Sequence, residues 1–142
     1  MLKKVVVLLI TFILISSNVS AKTNIDIEIF DISKEKVIMK VPSNPTIQKE
    51  VQNYIEGIES IYSKFNPIPD KGYMIKIPVE NPIMIQNQFL NTFVDVVIII
   101  FPQEEEPYLM VFDDKDRMIF FRFQGNTDAL IKNLNFNPNT LR

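Results

Sequence analysis

Ser60 and Lys64 stand four residues apart, a spacing that brings two side chains together on one face of a helix. A neutral lysine beside a serine hydroxyl can take its proton and leave a nucleophile. The pair does not have the three-residue spacing of the penicillin-recognising enzymes, and its neighbours Glu56, Glu59 and Ser63 are polar. A solvated helix surface is the reading this pattern favours.

Carboxylates offer two other chemistries. Glu104, Glu105 and Glu106 precede an apolar run, and Asp113, Asp114 and Asp116 follow it. Oxygen-rich clusters suit Ca²⁺, and two acids about 5–9.5 Å apart in a cleft suit hydrolysis of a wall polymer. The run between the two groups reads as one strand, which sets them at opposite ends, and the spacing lacks the ligands and glycine of an EF-hand loop. Solubilising turns account for both groups, so no metal ligand and no cofactor is assigned. Asp95 opens the most apolar stretch, where a buried unpaired carboxylate is strongly unfavourable. It is expected at a wet strand end, paired with Lys76 or Arg122. The alternative is a pocket acid with a raised pKa. Arg122 poses the mirror question between Phe121 and Phe123.

Composition excludes more than the motifs suggest. The chain has no His and no Cys. Ser-His-Asp and Cys-His nucleophiles, Cys/His zinc sites and iron–sulfur clusters are therefore out of reach. The three glycines, Gly57, Gly72 and Gly125, are too far apart for a phosphate-cradling loop.

These residues sit on elements that the hydrophobic periods define. Ile25, Ile27 and Ile29 alternate with Asp26 and Glu28, and Val37 to Val41 is apolar again, which predicts a hairpin across Ser33–Lys36. Asn44 and Pro45 are a helix cap and first residue. Ile47, Val51, Tyr54, Ile55, Ile58, Ile61, Tyr62 and Phe65 then recur at three- and four-residue spacing, predicting one long amphipathic helix over 45–65. Asn66-Pro67-Ile68-Pro69 ends it.

Tyr73 to Val79 reads as a strand, with Pro78 demanding an edge or a bulge. Ile83 to Gln86 is a further short strand, and 87–93 is either a helical turn or a loop. Val94 to Phe101 has the composition of a central strand covered on both faces. Tyr108 to Phe112 and Met118 to Phe123 form a hairpin around Asp113–Asp116. A short helix follows, capped by Asn126 or Thr127, with Leu130, Ile131 and Leu134 on its apolar side.

The expected class is α+β: an antiparallel sheet of hairpin, long helix and meander, curled over one amphipathic helix, with a short C-terminal helix. In outline this order resembles cystatin-like and nuclear-transport-factor-like folds.

The hairpin at 108–123 is apolar on both faces. Tyr108, Met110, Phe112, Met118, Phe120 and Phe121 are the candidate surface for an apolar ligand or a partner. One face can lie on the long helix, and the other needs the final helix, a partner or a ligand. Asp95 and Arg122 are the candidate charged strand residues. No residue is given a catalytic role.

Lys3 and Lys4, the apolar run Val5–Ile15, and Ser16 to Ala21 ending in Val19-Ser20-Ala21 form a secretory signal pattern with cleavage after Ala21. The apolar run falls short of the ~20 residues a membrane span needs. An uncleaved segment would make the chain a membrane-anchored accessory protein, with membrane contact through residues 1–21 alone. Residues 22–142 then form a single α+β domain. Losing Lys3 and Lys4 leaves that part more acidic than the whole chain's −2. A mildly acidic surface gives no footprint for nucleic acid.

The stretches Pro67-Ile68-Pro69-Asp70-Lys71-Gly72-Tyr73, Val94 to Pro102, and Pro107-Tyr108-Leu109-Met110-Val111-Phe112-Asp113-Asp114 resemble small exported proteins of Gram-positive bacilli. The abundance of Ile, Asn, Lys and Phe fits the same source. The resemblance implies an extracytoplasmic location and no particular activity. The expected function is a non-catalytic binding or interaction domain of the cell envelope, its partner an envelope protein or an apolar ligand.

Overall fold

Alternation of isoleucines with acids makes the first strand: Ile27 and Ile29 are fully buried in β1 (Asp26–Asp31), while Asp26 stays exposed. The computed structural model describes residues 25–138, so the expected signal segment 1–21 lies outside the described residues. β1 pairs with β2 (Lys36–Pro42) in the expected hairpin. Asp31 closes the turn by accepting a hydrogen bond from the Lys34 backbone N–H at 3.0 Å.

α1 (Pro45–Glu56) starts as its sequence dictates, with Asn44 Oδ1 accepting from the Ile47 N–H at 2.9 Å. It buries Ile47, Val51, Tyr54 and Ile55 and then stops. The single helix expected over 45–65 is therefore corrected. Ile58–Ile61 is a strand, β3, paired antiparallel with β7 (Met118–Phe123). The cause lies at Gly57, whose backbone runs against that of Gln124. Gln124 N–H donates to the Gly57 carbonyl at 2.8 Å, and a Cβ on Gly57 would stand 2.4 Å from the Gln124 oxygen. Pairing with β7 thus overrides a helical period that continues through Tyr62 and Phe65. Tyr62 moves to the other side of the sheet, and Phe65 is wholly exposed.

β4 (Gly72–Gln86) and β5 (Asn91–Pro102) form a long hairpin. Gly72 opens it at φ +128°, with its Cα against the Phe101 carbonyl. The register breaks between Pro78 and Ile83, so Pro78 sits at a bulge on an interior strand. The undecided stretch 87–93 divides into a turn and the start of β5. Asn87 Oδ1 accepts from the N–H groups of Phe89 and Leu90. β6 (Tyr108–Phe112) and β7 complete the meander with the expected bounds, and α2 (Asp128–Asn133) follows.

All strands join one seven-stranded antiparallel sheet in the order β2-β1-β4-β5-β6-β7-β3. The fold is α+β and rich in sheet, with two short helices. Both helices lie on one face: Leu130 of α2 and its C-cap residue Leu134 join Val51 and Tyr54 of α1 in the same core. Among the described residues no helix is long and apolar enough to cross a membrane.

Replacing Gly57 by Ala is expected to lower the unfolding free energy by about 1–3 kcal/mol, because backbone must move to admit the methyl group. Glu56→Ala beside it should stay within about 0.5 kcal/mol. Urea denaturation of both variants checks the pair.

Candidate functional site: the helix-free face of the sheet

The central strands have no wet side. In β5 and β6, Val97, Ile99, Leu109 and Val111 point to the helices and are fully buried. Their neighbours Ile98, Ile100, Tyr108, Met110 and Phe112 point to the opposite face, as strand alternation requires. That second face needs its own cover.

Half of the cover comes from residues 62–71, a strap between β3 and β4. Tyr62 stacks on Tyr108, with ring centroids 4.0 Å apart and planes at 11°. The Tyr62 hydroxyl donates to Glu105 Oε2 at 2.7 Å, and Lys64 Nζ bonds the other oxygen of that carboxylate. The Tyr108 hydroxyl donates to the Pro67 carbonyl. The Arg122 guanidinium carbon lies 4.8 Å from the centroid of the Tyr62 ring, a cation–π contact.

The titration shifts follow from this clustering. Burial raises both tyrosine pKa values, and the Glu105 hydrogen bond raises Tyr62 further. Lys64, followed by Tyr62, holds Glu105 below the usual carboxylate range, and Glu105 in turn raises Lys64. Lys64 is thus held charged, the reverse of what a Ser–Lys base needs. Ser60 is on β3 and Lys64 on the strap, so the shared helix face expected for them does not exist.

The other half of the face is open. Phe112 pairs with Met118, and the register that joins Val97 to Val111 sets Val96 beside Phe112. Val96 pairs with Pro78, and the next outward pair on the bent hairpin is Met84 with Phe93. Phe93 is 67% exposed, Met118 53% and Met84 42%. These residues line one face as an apolar strip across four strands, stepped at the bulge after Pro78.

The candidate surface thus divides into three parts. Tyr108, Met110 and Phe120 are buried beneath the strap, while Phe112 and Met118 lie on the open strip. Phe121 is corrected: it is fully buried on the helix side, opposite to Phe120 as adjacent strand residues must be. Of the three covers the sequence leaves open for this face, the final helix is not the one used, since α2 packs beside α1 and the strap covers Tyr108, Met110 and Phe120.

Met84, Phe93, Val96 and Pro78 join this surface from outside the candidate residues. The uncharged run 81–94, with outward residues alternating against Ile85, Thr92 and Val94, was the available signal. Asp95 is exposed and makes no ion pair among the described residues. Lys76 joins Glu28 and Arg122 lies over Tyr62, so neither expected partner reaches it.

The acidic groups lie at opposite ends of β6, as expected. Among the described residues no group of His, Cys, Asp or Glu is placed to hold a metal ion. Asp113 accepts from the Lys115 and Arg117 N–H groups and from Arg117 Nε, and these bonds keep its carboxyl below the usual range. A cavity of about 570 Å³ opens at the other end of the sheet, by Tyr73, Phe101 and Ile131. It carries charges of both signs, of which Asp31 is paired with Lys34 and Glu105 with Lys64.

Comparison with protein-family models, with curated proteins and with solved structures finds no match.

Because Glu105 is depressed in the folded state, its hold on the strap is complete at neutral pH and is lost as pH falls through the folded value. Below about pH 4 the tyrosine near-ultraviolet circular dichroism should change and dye binding to the uncovered face should rise. Glu105→Gln should remove most of that pH dependence.

Proposed function

We propose that the chain is an exported, non-catalytic binding domain of the cell envelope, and that it holds its partner on the open strip of the helix-free face. The strip carries this reading. A sheet face with Phe93, Met118 and Met84 all more than two-fifths exposed, beside half-buried Phe112 and Val96, is unusual for a surface that meets only water. Export rests on the basic, apolar and small-residue blocks of residues 1–21.

The titratable groups support binding over hydrolysis. The carboxylates with resolved shifts, Glu28, Glu105 and Asp113, all move toward the charged form. A general acid for a wall polymer would need one moved the other way.

A photo-cross-linking residue placed at position 93 or 118 in the producing cell should yield adducts that the same residue at position 49, on α1, does not. Absence of adducts from both strip positions would remove the reading. A reporter fused behind Ala21 should be active outside the cytoplasm.

A further inference from the structure

We infer that the strip takes a basic amphipathic segment of another protein, one whose apolar side chains are flanked by Lys or Arg. The inference rests on the binding reading above and names the chemistry of the partner. Its evidence is the rim. Glu80 lies in the bulge beside Pro78, Asp95 lies between Phe93 and Val96, and Asp114 and Asp116 lie in the turn between Phe112 and Met118. All four are exposed, and none makes an ion pair among the described residues.

The nearby cations offset them only in part. Arg117 is held by Asp113, and Lys40 and Lys76 share the one carboxylate of Glu28, so the four acids face a surplus of two lysine charges, one of them Lys115. Between Lys76 and Lys115 the chain has no basic residue at all. An apolar strip with an acidic rim complements apolar side chains within a basic frame.

The same rim argues against other occupants. Anionic lipid would be repelled by these carboxylates. A second copy would bring two acidic rims together, and the strip offers on the order of 400 Å² of apolar surface where a stable interface buries about 800 Å² per partner. A short segment needs less area and brings the missing charge.

Fluorescence anisotropy of a labelled, amphipathic lysine–leucine peptide, titrated with the chain as purified from the producing cell, tests this directly. Binding is expected with a Kd on the order of 10–100 µM, about 10-fold weaker after Phe93→Ser with Met118→Ser. Asp95→Asn with Asp116→Asn should weaken it several-fold and flatten its salt dependence. Circular dichroism and melting temperature should be unchanged in all of these variants.

Equal binding of a glutamate–leucine peptide overturns the basic partner. So does strip-dependent binding to phosphatidylcholine vesicles in place of the peptide, or a dimer in light scattering that Phe93→Ser dissolves. Those three outcomes leave the strip as a binding surface. Peptide binding untouched by the Phe93/Met118 change, or no binding of any probe, overturns both readings.

Discussion

Alternate residues of β5 and β6 are apolar toward both faces of the sheet, and every later feature answers to that constraint. A half-wet antiparallel sheet would need one layer of cover. This one needs two. Its helices supply only one, because α1 and α2 pack side by side over the same core. Ending α1 at Gly57 supplies part of the second. The residues so released form the edge strand β3 and then the strap, carrying Tyr62 to Tyr108 on the far side. One close backbone approach, Gly57 to Gln124, thus decides helix length, sheet edge and second-face cover together.

Much of this architecture was legible in the sequence. Period-two alternation and turn residues located β1, β2, β6 and β7, and the asparagine–proline start of α1 was plain. The helix end was not, because Ile58, Ile61, Tyr62 and Phe65 satisfy a helical period as well as they satisfy a strand and its continuation. Only contact with β7, which is distant in sequence, separates the two. Phe121 is different. Its opposition to Phe120 follows from strand geometry alone, and alternation would have removed it from the candidate surface. Met84 and Phe93 were obscured by the bulge after Pro78, which interrupts the pattern that would have joined them to Val96 and Phe112.

Charge is distributed to match the cover. On the β2-β1-β4 side of the helix-free face, Glu28 bridges Lys40 and Lys76, so that cluster is polar and carries one net positive charge. Lys36 and Lys40 also mark β2 as an edge strand, where charge discourages pairing with other chains. Toward β5, β6 and β7 the surface turns apolar and its rim acidic. The segregation gives the face two characters, a polar region built on paired charges and an apolar strip with an excess of negative charge at its rim.

Chain length explains why the strap stops where it does. It has to cross four strand-to-strand gaps of about 4.8 Å, from β3 to β4, while climbing to the Gly72 end of the sheet. That diagonal is about 23 Å, and ten residues reach about 33–36 Å when fully extended. A detour down over Phe112 lengthens the path to about 34 Å by the same strand dimensions, before any allowance for the height of the side chains beneath. Pro67 and Pro69, together with the bonds from Tyr108 and to Glu105, fix the shorter route. On that route the strap lies over Tyr108, Met110 and Phe120 and leaves Phe112 and Met118 outside it. The exposure of Met118, Met84 and Phe93 is what a connection of this length between β3 and β4 leaves behind.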